Sequence, residues 1–68
     1  MTTYTAAIDA REISFDAPTL IAAKVRARRE FDGGYIGDRI RIAEHTNTHG
    51  PVVVSTGTVG RKGWRDAR

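Results

Sequence analysis

The chain has 68 residues, no cysteine, and a formal net charge of +3 from 11 Lys and Arg against 8 Asp and Glu. A chain this short makes one domain at most and buries only about 60% of its unfolded surface, which favours binding over catalysis in a large pocket. Missing thiols exclude disulfides and thiolate metal sites, and no apolar run approaches the roughly 20 residues that cross a bilayer.

The N-terminal Met1-Thr2-Thr3-Tyr4-Thr5 lacks the basic and apolar regions of a signal peptide, so a cytoplasmic protein is expected. Tyr4, Ala6 and Ile8 alternate with Thr5 and Ala7, and Ile13 and Phe15 alternate with Ser14 and Asp16. The parity shifts between Ile8 and Ile13. One regular strand would throw an apolar set onto the wrong face, so a hairpin or bulge around Asp9-Ala10-Arg11 is required. Strands are expected at about 3–8 and 12–16.

Asp16-Ala17-Pro18-Thr19 is a helix start, with Asp16 or Thr19 as the cap. The helix is expected over about 19–31 and ends at Asp32-Gly33-Gly34, where glycine takes the left-handed cap conformation. Arg39 to Glu44 alternates charged with apolar residues and reads as a strand with one wet face. Pro51 to Thr56 is the next strand, across a polar loop from His45 to Gly50. Gly57 to Gly63 is punctuated by glycine, and Trp64 sits on a short last strand. The reading is α+β, ββαββ(β), with a single helix packed on an antiparallel sheet of four to five strands, all in one domain.

Within the helix, Lys24-Val25-Arg26-Ala27-Arg28-Arg29 places four positive charges in six residues. The tail from Gly57 supplies Arg61, Lys62, Arg65 and Arg68 against Asp66, so the rest of the chain is net acidic. Such polarity implies an anionic partner or a charged docking surface. At about 100° per residue, Leu20, Ala23, Ala27 and Phe31 form the core arc, with Lys24 on its flank. Arg26 and Arg29 point away. Ile21 and Val25 fall between Arg28 and Arg29, and they either widen the core face or form an exposed apolar stripe rimmed by arginine, as suits a protein contact. Lys24 and Arg28 repel each other at i,i+4, a small cost that some partner must offset.

Gly60-Arg61-Lys62-Gly63 matches the GxxG pattern of a nucleic-acid-binding loop, but no helix pattern follows it, so a tight turn between strands is the better reading. Arg61 and Lys62 would project from its tip. Trp64 closes one edge of the core or, if exposed, is a contact or base-stacking residue beside Arg61 and Arg65. His45 and His49 do not make a metal site without further ligands. Ser14 and Ser55 lie in strands with no nucleophile elbow, so neither a catalytic set nor a cofactor is expected. Arg39 and Arg41, on the outer sheet face, are an alternative surface.

Taken in order, Ala17-Pro18-Thr19-Leu20, Ala23-Lys24, Phe31, Asp38-Arg39-Ile40-Arg41-Ile42-Ala43-Glu44, Gly50, the aliphatic strand and Gly60-Arg61-Lys62-Gly63-Trp64-Arg65-Asp66 form one pattern. From about Ile13 to Arg68 it resembles the small phage anti-CRISPR proteins that bind type I surveillance complexes. It is most similar to the type I-F inhibitors whose strand–helix–meander chain ends in a basic-Trp motif. The chain departs from them in its N-terminal turn, its arginine-rich helix and its His45/His49 loop. The resemblance implies a one-helix sheet protein that binds the subunits holding the guide RNA and blocks target DNA. Some such proteins also hold duplex DNA non-specifically. Lys24, Arg28 and Arg29 on the helix and Arg61, Lys62 and Trp64 in the tail are the matching positions. With Ile21, Val25 and Arg65 they complete the candidate contact set of a monomer acting in the host bacterial cytoplasm. A small basic nucleic-acid-binding module or phage accessory regulator is the alternative.

Overall fold

A computed structural model describes residues 1–9, 11–31, 34 and 36–67. The elements are β1 (Thr2–Ile8), β2 (Arg11–Ala17), α1 (Leu20–Phe31), β3 (Arg39–Thr46), β4 (Gly50–Thr58) and β5 (Trp64–Asp66). The strands form one antiparallel sheet in the order β2-β1-β3-β4-β5, with α1 on one face. This is the expected α+β fold with all five strands present. Of the expected turns, Ala10, Asp32 and Gly33 lie outside the described residues, as does Arg68 of the basic tail.

The parity shift between Ile8 and Ile13 is resolved as a hairpin. Tyr4 pairs with Phe15, Ala6 with Ile13 and Ile8 with Arg11, so both apolar sets face the helix. The cap ambiguity is resolved for Thr19: its Oγ1 accepts the Ala22 amide at 3.2 Å and its carbonyl accepts the Ala23 amide at 3.1 Å. Asp16 instead accepts a hydrogen bond from Thr3 Oγ1 at 2.7 Å across the hairpin.

The β3–β4 connection is shorter than the polar run suggested. Thr46 Oγ1 donates to the Gly50 carbonyl at 2.9 Å and accepts the His49 amide at 3.0 Å, and Gly50 turns at φ 66°. The strands therefore reach Thr46 and begin again at Gly50. Between the pairs Ile42–Ser55 and Ala43–Val53 the register slips by one residue. Val54 is the extra residue of this bulge, so Val54 and Ser55 are both buried although adjacent in sequence.

Tyr4, Ala6, Ile8, Ile40, Ile42 and Val54 from the sheet and Ala23, Ala27 and Phe31 from α1 make the core, closed by Ala17 and Val59. Leu20 packs at its margin. Ile21 and Val25 are 73% and 62% exposed, which settles them as an outward stripe. Trp64 packs on the core from β5, lying across its partner Gly57. A Cβ at Gly57 would stand 2.8 Å from the indole Cε3. Gly57→Ala is therefore expected to destabilise the protein by about 1–3 kcal/mol through overpacking, read by denaturant unfolding. Trp64 emission should shift as the ring is displaced.

Candidate binding site

Apart from Arg41, which faces Asp9 at 3.8 Å on the outer sheet face, the structure sorts the described cations into two groups by what they touch. Those on the flanks of α1 are engaged within the protein. Lys24 reaches Asp66 of β5 at 2.8 Å with its side chain only 16% exposed. Arg28 donates from one guanidinium nitrogen to the Thr58 carbonyl at 3.1 Å and from the other to the Gly63 carbonyl at 2.9 Å, and it lies 4.7 Å over the Trp64 ring. On the opposite flank, Arg26 stands 5.4 Å over Phe15 and 3.6 Å from Glu30, which also faces Arg11 at 3.6 Å. The repulsion between Lys24 and Arg28 is thus offset within the protein: each is drawn to a different acceptor at the β5 edge.

Asp66 is the node of that edge. Its Oδ1 accepts from Lys24 and also from the buried Ser55 hydroxyl at 2.8 Å. The Lys24 hydrogen bond, then that of Ser55, holds its carboxyl below the ordinary aspartate range.

The second group is unpaired. Among the described residues, Arg29, Arg39, Arg61, Lys62 and Arg65 are exposed and make no ion pair. Four of the five line one open cleft of about 400 Å³ beside the β4–β5 turn: Arg39, Arg61, Lys62 and Arg65. Thr56, Thr58 and the backbone of Gly57 and Gly63 complete it, and no carboxylate lines it. The register builds this site. Arg39 pairs with Thr58 and Arg65 with Thr56, which places both beside the turn. Gly60 and Gly63, at φ 87° and 97°, flank Arg61 and Lys62 and present them at its tip. The GxxG segment is thus a strand-to-strand turn. A cluster of cations without counter-charge takes an anion, such as phosphate oxygens or carboxylates, through hydrogen bonds strengthened by charge.

Of the expected contact residues, the structure brings Arg61, Lys62, Trp64 and Arg65 to this cleft. Lys24 and Arg28 lie behind it, holding β5 and the turn. Ile21, Val25 and Arg29 face solvent from α1. Trp64 is partly buried, with Gly57 against its ring and the Arg28 guanidinium 4.7 Å from the ring centroid. Arg39 was foreseen only as part of the outer sheet face. Its place in the cleft follows from a register that depends on the Val54 bulge, which alternation of residue types does not reveal. His45 Nε2 and Thr5 Oγ1 hydrogen-bond at 2.6 Å on the outer sheet face. No three metal-ligating side chains converge among the described residues, and no helix of the described chain is long and apolar enough to cross a membrane.

Compared with protein-family models, curated proteins and solved structures, the chain has no match in any of the three.

The Asp66 node carries a pH dependence of known sign. A carboxylate that holds its proton less tightly when folded stabilises the fold above its unfolded-chain pKa of about 3.9, and the stabilisation is lost as pH falls through the lower folded value. Wild-type stability should therefore fall in acid below about pH 4. Asp66→Asn should be less stable at neutral pH and show a flatter acid limb, read by denaturant midpoints from neutral pH into acid.

Proposed function

We propose that this chain is a non-enzymatic inhibitor of the anti-CRISPR kind. It binds protein subunits of a type I surveillance complex in the bacterial cytoplasm and keeps target DNA from pairing, and its basic cleft adds a non-specific hold on duplex DNA. The observation that carries this reading is the separation of cations: those of the helix flanks are tied into the fold, while Arg39, Arg61, Lys62 and Arg65 stand unpaired around one cleft. The exposed Ile21 and Val25 beside Arg29 offer a second contact, apolar with a charged rim, as protein interfaces have. The one-helix sheet and the basic-Trp ending agree with the resemblance from Ile13 onward. The net positive charge distinguishes this protein from an inhibitor that imitates DNA, which would be acidic.

The test is co-purification with type I complexes of several subtypes, followed by a target-DNA binding assay. Capture of a complex with loss of target binding is expected, and failure to bind any of them removes the reading. Arg61→Glu with Lys62→Glu should weaken capture at least about tenfold, while unfolding stability stays within about 0.5 kcal/mol because both positions are exposed. Ile21→Asp with Val25→Asp separates the helix stripe from the cleft: capture falls if the stripe is a contact, and the fold is retained.

A second reading, a small nucleic-acid-binding module, is favoured by the absence of any carboxylate in the cleft lining. Phosphate binding by these four cations alone would make log K fall against log salt with a slope near −0.9 for each phosphate neutralised. A protein without affinity for duplex or single strands at about 50 mM salt loses this reading, since non-specific binding is strongest at low salt.

A further inference from the structure

We infer that Arg28 is a positioning residue for the basic cleft, acting through Arg61 and Lys62 rather than by touching the partner. The inference rests on the reading of that cleft as the anion-binding surface. It changes what the most basic part of the helix is for.

The β4–β5 connection is anchored at its start by buried Val59, whose amide donates to the Asp38 carbonyl at 2.9 Å and whose carbonyl accepts the Gly37 amide at 3.0 Å. Past Val59, two glycines at positive φ bracket Arg61 and Lys62, and the Arg61 amide donates to the Thr58 carbonyl at 3.1 Å. β5 beyond it has only three residue pairs with β4. A segment of that kind samples many conformations, and ordering it on binding would lower affinity. Arg28 counters this from the helix. Its planar fork donates to Thr58, the last residue of β4, and to Gly63, the residue before β5. One guanidinium therefore ties together both ends of the turn. Its stacking over Trp64, itself seated on Gly57, fixes the plane of the fork. With the mouth of the turn closed, Arg61 and Lys62 at its tip face the cleft that Arg39 and Arg65 line from the sheet. Two of the five N–H donors of Arg28 are taken by these carbonyls, and one guanidinium face is turned to the Trp64 ring.

A lysine at this position keeps the charge but has no fork to span two carbonyls. Arg28→Lys and Arg28→Met are compared with wild type, with Arg11→Lys on the far β2 edge as the control for an Arg→Lys change. The probe is a short duplex DNA of mixed sequence, titrated over a range of salt. The free proteins are examined by backbone heteronuclear NOE at residues 60–63. Positioning predicts that Arg28→Lys loses about fivefold in affinity, the scale of one lost hydrogen bond, with the turn more mobile in the free protein. Arg11→Lys should bind as wild type. Arg28→Met should weaken binding while the salt slope stays at the wild-type value.

A direct phosphate contact predicts the opposite: Arg28→Lys binds as wild type, and Arg28→Met lowers the slope by about 0.9. Either of those results, or a turn as ordered in the variants as in wild type, overturns the inference. Wild-type protein that fails to bind the duplex at about 50 mM salt sinks the phosphate-binding reading of the cleft instead, whatever the turn does.

Discussion

The close seat of α1 on the sheet is the constraint on which the rest depends. Ala23 and Ala27 face the strands with no exposed surface at all, and their methyl groups, small yet compatible with a helix interior, let the helix backbone approach the sheet closely. That approach decides what the neighbours of the alanines can reach. At about 100° per residue, Lys24 and Glu30 lie on opposite flanks of the core arc, and Arg28 and Arg26 lie just beyond them on the same two sides. Lys24 and Arg28 meet the β4–β5 edge, and Arg26 and Glu30 meet β2. One helix of 12 residues thus secures both edges of a five-stranded sheet. Larger residues at 23 and 27 would lift the helix and break contacts on both sides at once.

This arrangement answers an electrostatic problem posed by the chain. The helix and the C-terminal tail are both strongly basic, and the fold packs them together. Coulomb repulsion between them is relieved by the single carboxylate in the tail, Asp66, which faces the helix and takes Lys24 and Ser55 together. Arg65, its neighbour in the strand, lines the cleft instead. Alternation along three residues of β5 therefore separates a charge that holds the fold from one that remains for a partner. Facing the helix, Asp66 directs its charge to Lys24 and Ser55 and does not line the cleft.

Features carried by local chemistry were legible in the sequence. The helix start with Asp16 or Thr19 as cap, the hairpin or bulge demanded by the parity of Ile8 and Ile13, and the core arc of Leu20, Ala23, Ala27 and Phe31 all follow from rules spanning a few residues. The choice of Thr19 and of the hairpin, and the marginal place of Leu20, came from the structure. What was not legible depended on contacts between distant segments. The Val54 bulge leaves no mark in the run Val52-Val53-Val54, since every residue there suits a strand. Yet it sets the pairing that brings Arg39 to Arg65. Arg28 was recognisable as basic and near the apolar stripe, but its acceptors are main-chain carbonyls 30 and 35 residues away. Carbonyls belong to every residue and give no signal. The one sequence clue was the crowding of Lys24 and Arg28, which demanded acceptors without naming them.

The most direct measurement of the central claim, that the flank charges of α1 hold the short edge strand, is a double-mutant cycle at Lys24 and Asp66. Lys24→Met, Asp66→Asn and the double variant are compared with wild type by denaturant unfolding at neutral pH and low salt. The account predicts that the double variant loses clearly less stability than the two single losses combined, with the coupling fading as salt is added. Losses that simply add would show that the pair does not hold β5, and would contradict the account.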